Sequence, residues 1–338
     1  MSSGHRKVIK VGILSMGDMG VGIAKLLIAH GFSVATNCQG RRRAITFSPF
    51  ARGQDTIDRA KAANVELLSS DFELAKQCPV ILSVVPPRDA EATAQRIADA
   101  LSGGSASHSI FFVDLNAVSP STSKGMAEMF RRARVPVQFV DGCILGAPPR
   151  QRLAAGSKNS DEEPDWIRPN IPISGPHALS SLQNGAELAK VLNLRSISPD
   201  IGAASGLKMC FAAMTKGFTA LATQSFTTAH RLGVVDELKR EMGEIFPNHL
   251  TAAERSVPTM PPKAYRWVKE MEEISDTMHE EGGWTKQLFH GIAGVYKEVA
   301  EDAVLGKEQI GKRVRGKSIE DVAAAMGEGL ERKRKKTE

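Results

Sequence analysis

The sequence predicts an α/β domain followed by an all-α domain, the two linked by a long interdomain helix. Three observations carry this reading. Apolar runs bounded by turn residues alternate with helical patterns up to about residue 145, the texture of βαβ units on a parallel sheet. From Leu182 onward the period is helical alone. The stretch Ala203–Leu232 is mostly small or apolar and nearly free of charge. At 338 residues the chain is too long for one ordinary domain and comfortable for two. The expected division is 1–182 for the α/β domain, with an inserted loop at 147–172, then 183–320 for the helical domain and 321–338 for a basic tail.

The elements follow in order. Strands are expected at Val8–Leu14, Phe32–Thr36, Val80–Val84, Ile110–Asp114 and Val137–Val140. A helix from about Met19 to His30 gathers Val21, Ile23, Ala24, Leu27 and Ile28, and Gly31 ends it. Another spans about Pro87–Leu101. A third opens at Ser119-Pro120, where the serine caps and the proline takes the first helical position. Residues 147–172, rich in Pro, Arg and acid, read as a long loop. The helix over Ala203–Leu232 reaches ~40 Å at 1.5 Å per residue. Apolar around most of its circumference, it is expected to be buried on most sides, between domains or between subunits. Helices at about Ala264–Glu280 and Thr285–Leu305 complete the set.

Hydrophobic residues make up 42% and charged residues 24%, so a sizeable core can form. The net charge is +6, but much of the excess sits in Arg41-Arg42-Arg43 and Arg332-Lys333-Arg334-Lys335-Lys336. It is not a basic coat, and no nucleic-acid partner is expected. The terminal run reads as a solvated, disordered end. The four cysteines are scattered without a C-x-x-C pair, as for free thiols in a reducing compartment. The N-terminal residues hold no signal-peptide core, and no apolar stretch approaches the ~20 residues that span a bilayer. A cytoplasmic protein with no membrane partner is expected. His177, His230, His279 and His290 are not at ligand spacing, and no metal site is expected.

The stretch "GILSMGDMG", Gly12–Gly20, nearly spells the glycine fingerprint of a dinucleotide-binding Rossmann turn. Gly17 and Gly20 supply its second and third glycines. Ser15 replaces the first and can make the turn with a negative φ. The N–H groups of Met16, Gly17, Asp18 and Met19 then face phosphates at the positive end of the helix. At the end of the second strand an NAD enzyme carries an acid for the ribose 2′-hydroxyl, and none is present. "NCQGRRR" follows instead, and arginine forks bind phosphate. The cofactor expected is NADP(H), with Asn37, Arg41 and Arg42 around the 2′-phosphate and Arg52 as an alternative to Arg42 or Arg43.

Five short stretches in order, "GILSMGDMG", "LSVVPP", "VDLNAVSPST", "FVDGCILGAPP" and "GAASGLKMC", resemble the β-hydroxyacid dehydrogenases. That group holds 3-hydroxyisobutyrate and 6-phosphogluconate dehydrogenases and the related imine reductases. "KMCFAAMTKG" and "PKAYRWVKEMEEI" are similar to the branch with a 6-phosphogluconate dehydrogenase-like C-terminal domain. The resemblance implies a Rossmann domain, a helical substrate and dimerisation domain, a homodimer, and an active site in the cleft between domains. It implies that Val84, Val85 and Pro86 line the nicotinamide side and that Asn116 sits by the nicotinamide ribose or the substrate. It matches Leu145-Gly146-Ala147 to a loop that grips a substrate carboxylate, and Lys208 to the catalytic lysine. Two positions depart from the pattern: Leu145 replaces the loop serine, and Ala212 replaces an asparagine four residues after the lysine.

Hydride transfer to a carbonyl or imine leaves an atom that needs a proton, and a buried lysine is an effective donor. Lys208 stands out in an otherwise apolar helix, where a charge is paired or functional. Positions i, i+4 and i+7 share a face, so Ala212 and Thr215 accompany it, with Lys216 at the edge. These residues are the expected substrate contacts. "KAYRWVKEMEEI" sets Tyr265, Trp267 or Lys269 at a cleft rim, or else forms an amphipathic core helix. The function expected is an NADP(H)-dependent oxidoreductase on a small hydroxyacid or keto substrate. The alternatives are an imine reductase or reductive aminase, and a non-catalytic NADP-binding sensor or scaffold.

Overall fold

The computed structural model describes residues 9–38, 49–104, 108–152, 165–308 and 313–337 (backbone alone at 49–53 and 337). The chain divides into two compact units between Lys208 and Met209.

In the first unit, β1 (Lys10–Leu14), β2 (Ser33–Thr36), β3 (Glu66–Leu67), β4 (Val80–Ser83), β5 (Ile110–Asp114) and β6 (Val137–Gly142) come first. A hairpin of β7 (Arg150–Gln151) and β8 (Trp166–Ile167) precedes β9 (Ile171–Ser174) and β10 (Leu194–Ser198). The main sheet has eight strands in the order β10-β9-β6-β5-β4-β1-β2-β3. All its pairs are parallel except β6 with β9. Strand order reverses between β1 and β4, and such a point opens a ligand crevice at the carboxyl ends of the strands.

Helices α1 (Asp18–Ala29), α2 (Pro49–Ala62), α3 (Asp71–Gln77), α4 (Ala90–Ser102), α5 (Pro120–Ala133) and α6 (Gly185–Leu192) connect the strands. Buried side chains alternate between the two faces with period two. Val80, Leu82, Phe111 and Val113 join Ile23 and Leu27 of α1 on one face. Ile81, Ile110 and Phe112 join Ile97 of α4 and Phe130 of α5 on the other. This two-sided burial is why these strands read as unbroken apolar runs. Ser119 caps α5 as expected, its hydroxyl accepting the Thr122 N–H, and Pro120 opens the helix.

Helix α7 runs over Ala203–Leu232, the bounds the sequence predicts. The second unit holds it from Met209 onward, with α8 (Val235–Ile245), α9 (Pro247–Thr259), α10 (Ala264–Glu280), α11 (Gln287–Glu301) and α12 (Ile319–Thr337). Trp267 of α10 meets Tyr296 of α11 edge to face, their ring centres 5.1 Å apart. The buried Tyr296 hydroxyl donates to the Lys216 carbonyl, satisfying a polar group that burial alone would penalise.

Three expectations change. The texture is not helical alone after Leu182, because β10 continues the sheet and the first unit extends to Lys208. The basic tail is not disordered but helical as part of α12. Acid–base spacing explains this: Glu328 pairs with Arg332, Glu331 with Lys335, and Lys333 reaches Glu298 on α11. Along α7, Phe211, Met214, Leu221 and Leu232 lie exposed in one stripe. Finally, the expected Thr285–Leu305 helix is shorter, α11 ending at Glu301 where Asp302 turns extended. Of the loop 147–172, residues 153–164 lie outside the described residues. No described helix is long and apolar enough to cross a membrane, and no described cluster of His, Cys, Asp or Glu has the arrangement to hold a metal.

Candidate functional site

The β1–α1 turn departs from expectation at one residue. Ser15 has φ 90°, not a negative value. A non-glycine residue there carries strain of about 1–3 kcal/mol. Gly20 explains why the chain holds that shape: any side chain on it would overlap the Ser15 carbonyl, so helix and turn pack backbone to backbone. Gly17 is the N-cap of α1 and offers no side-chain acceptor to the first-turn N–H groups. A Cβ built on Gly17 would meet only Ser15 Oγ, at 3.9 Å. The open space over the helix start therefore fits a phosphate group. Met16 is buried, whereas Asp18 is exposed and Met19 half-buried at the helix mouth.

The loop after β4 lies beside this turn. Val84 N–H donates to the Leu14 carbonyl (3.1 Å) and Val85 N–H to Asn116 Oδ1 (2.7 Å). Pro86 then leads into a short turn at Pro87–Asp89. Asn116 is nearly buried, and its Nδ2 donates to Ser83 Oγ (2.9 Å) and to Asp114. Its amide thus ties the β4 and β5 loops together. Asn37, at the end of β2, is also engaged: its Nδ2 donates to Asp71 Oδ1 (2.8 Å). Asp71 in turn receives a bidentate grip from Arg96, at 2.9 and 3.0 Å. Arg41 and Arg42 lie outside the described residues, as does the side chain of Arg52.

Lys208 closes the first unit. Its Nζ donates to the Ile144 carbonyl at 2.7 Å, one residue before Leu145. Leu145 forms a bridge with Asn170: its N–H donates at 2.8 Å and its carbonyl accepts at 3.1 Å. The Leu145 backbone is therefore spent on Asn170. Gly146 takes φ 136° against Pro169, a conformation that favours glycine.

The other expected substrate residues belong to the second unit. Ala212 is buried. Thr215 is exposed, and its hydroxyl donates to the Phe211 carbonyl at 3.2 Å. Lys216 pairs with Glu270 and lies 5.1 Å from the centre of the Trp267 ring. Lys269 is ion-paired to Glu272 and Glu273, and Tyr265 is exposed.

Two residues that sequence reasoning passed over form the buried electrostatic centre of the first unit. Asp114 and Asp141 stand opposite each other on β5 and β6, and both are fully buried. Asp141 accepts hydrogen bonds from Ser123 Oγ (2.9 Å), Ser174 Oγ (2.8 Å) and Ser205 Oγ. It also accepts the N–H groups of Gly202, Ala204 and Ser205 at 2.9–3.1 Å, at the positive start of α7. Asp114 has fewer donors. Burial pushes its carboxyl up to about 7, and the Asp141 charge adds to the rise against hydrogen bonds from Asn116 and Ser83. Burial also raises the Cys143 thiol to about 12, the Lys208 charge pulling it down and Asp141 pushing it up.

Comparison with known proteins bears on the fold. Residues 229–299 match a family model described as a domain of unknown function, DUF1932. An uncharacterized 28.5 kDa protein from Methanothermus fervidus is 25% identical over 188 residues, and the match covers 55% of this chain and 62% of that relative's length. A conserved hypothetical protein of Sinorhizobium meliloti superposes with a TM-score of 0.60 at 22% identity, covering 97% of this chain and 99% of that one. The conserved protein MTH1747, described as structurally similar to 3-hydroxyacid dehydrogenases, gives 0.57 at 24% identity over 88% and 99%. A Mycobacterium tuberculosis 3-hydroxyisobutyrate dehydrogenase with L-serine gives 0.60 at 15% identity over 94% and 98%. The chain thus shares its fold with these structures, and its residues 229–299 match the DUF1932 model.

Proposed function

We propose that this chain is an NADP(H)-dependent oxidoreductase acting on a small hydroxyacid or keto substrate, with Lys208 as its general acid and base. The observation that carries the reading is the hydrogen bond from Lys208 Nζ to Ile144, in the same unit as a glycine turn with open space over its helix start. A pyrophosphate on the first-turn amides of α1 would set the cofactor beside Val84, Val85 and Pro86, the loop that Asn116 fixes. When bound, the nicotinamide supplies or accepts the hydride. Lys208 delivers a proton to the carbonyl oxygen in reduction and takes it back from the hydroxyl in oxidation. The phosphorylated cofactor is favoured by "NCQGRRR" and by an asparagine, not an acid, at the end of β2.

The test is a screen of NADPH oxidation against ketoacids, aldehydes and imines beside NADP+ reduction by hydroxyacids, each repeated with the unphosphorylated cofactor. The expected result is turnover with a kcat/KM at least tenfold higher for the phosphorylated form. Turnover with neither cofactor removes the reading. Activity confined to imines supports the alternative imine reductase, which the spent Leu145 backbone and the missing loop hydroxyl favour.

We further infer a homodimer that buries the exposed α7 stripe of Phe211, Met214, Leu221 and Leu232. Light scattering on the purified chain is expected to give twice the mass of 36.4 kDa. A Leu221→Glu substitution is expected to shift that mass toward the monomer.

A further inference from the structure

The Asp141 network does more than close the end of a helix. On β6 and the residues after it, Asp141 and Ile144 are three positions apart. On α7, Ser205 and Lys208 have the same spacing, about one helical turn. Asp141 and Ser205 are joined through the Asp141 carboxylate, which takes the Ser205 N–H (3.1 Å) and the Ser205 hydroxyl. Ile144 and Lys208 are joined through the Ile144 carbonyl, which takes the Lys208 ammonium (2.7 Å). These are two rungs of one clamp between the same two segments.

We propose that Asp141 is a positioning residue for Lys208: its carboxylate fixes the first turn of α7 so that the lysine one turn on meets the Ile144 carbonyl at a set height. The proposal rests on the role assigned to Lys208 above. Its physical basis is independent of any ligand. The carboxylate accepts from three backbone amides and three hydroxyls, on α5, β9 and α7. Charge-assisted bonds of this kind are about twice as strong as neutral ones, and a buried carboxylate must keep them. The helix start can then neither slide along the sheet nor rotate, and a rotation of one residue would carry Lys208 about 100° around the axis. The charged or titratable groups around the clamp are Asp114 on β5, Cys143 after β6, and Lys124 on α5, whose Cε lies 3.0 Å from a Cβ built on Gly202.

Neutralising the carboxylate tests this without removing bulk. In the full chain carrying Asp141→Asn, amine acylation at Lys208 is followed by mass spectrometry, and its resonance by 13C-methyl NMR after reductive methylation. The expected result is acylation of Lys208 at least fivefold faster, with a shifted and broadened methyl signal, while Lys216 labels at its parental rate. Ile97→Ala, a core substitution far along the chain, serves as a destabilised control. A purely structural cap predicts that this control speeds Lys208 labelling as much as Asp141→Asn does at equal loss of Tm, and that outcome overturns the proposal. Should Asp141→Asn fail to fold, Ser205→Ala removes one hydroxyl from the same rung and is expected to speed Lys208 labelling at least twofold. An unchanged rate there overturns the proposal too. None of these readouts needs cofactor or substrate, so they stand or fall separately from the proposed reaction.

Discussion

Replacing Lys208 with methionine is expected to slow turnover of whichever substrate the screen identifies by about 10²–10⁴-fold, the contribution typical of a positioned acid or base. NADPH affinity is expected to stay within about twofold, because the turn over α1 is untouched. Methionine keeps the unbranched stem but cannot donate to the Ile144 carbonyl, and the lost hydrogen bond costs about 1 kcal/mol of stability. Stopped-flow turnover with a fluorescence titration of NADPH separates the two effects. Unchanged turnover would take the lysine out of the chemistry and leave it a structural tie. Lys216, eight residues further on the same helix, is a different case. Its ammonium is matched by Glu270 and covered by Trp267, the arrangement of a cation placed for packing.

That distinction was not legible in the sequence. Both lysines interrupt the same apolar helix, and the residue that decides between them, Glu270, lies on α10. What was legible depends on local signals. Strands β1, β2, β4, β5 and β6 are buried on both faces, so each reads as an apolar run. Strand β9 contains Pro172, and β10 alternates with arginine and serine at the sheet edge, so neither announces itself. Helix α9 carries Pro258 inside its length, which hides its end. The positive φ of Ser15 has no signature of its own in the sequence, because the close approach of its carbonyl to Gly20 is set by the packing of helix on turn. Asp141 sits in "FVDGC", where an acid beside apolar residues reads as a strand end. Its donors are on α5, β9 and α7, and only the topology brings them to it.

The same topology sets the second large effect. Asp114→Asn is expected to stabilise the protein at pH 8 by up to about 4 kcal/mol, an unusual sign for a buried polar substitution. Unfolded, the Asp114 carboxyl titrates near the ordinary aspartate value of 3.8, whereas in the fold it is raised to about 7. Below pH 3.8 both states hold the proton and the group costs nothing. Between those two values the unfolded chain releases its proton while the folded chain keeps it, so stability falls by about 1.4 kcal/mol per pH unit. Above pH 7 the penalty is constant, and the fold carries a second buried carboxylate opposite Asp141. Asparagine presents the same shape, lets its carbonyl accept from the Asn116 amide, and does not ionise. Urea unfolding of parent and variant at pH 4, 6 and 8 gives the difference directly, cancelling the surface carboxylates common to both. The expected difference is near zero at pH 4 and grows with pH. A difference that stays flat from pH 4 to 8 means Asp114 is ionised in the fold throughout, and that overturns the prediction.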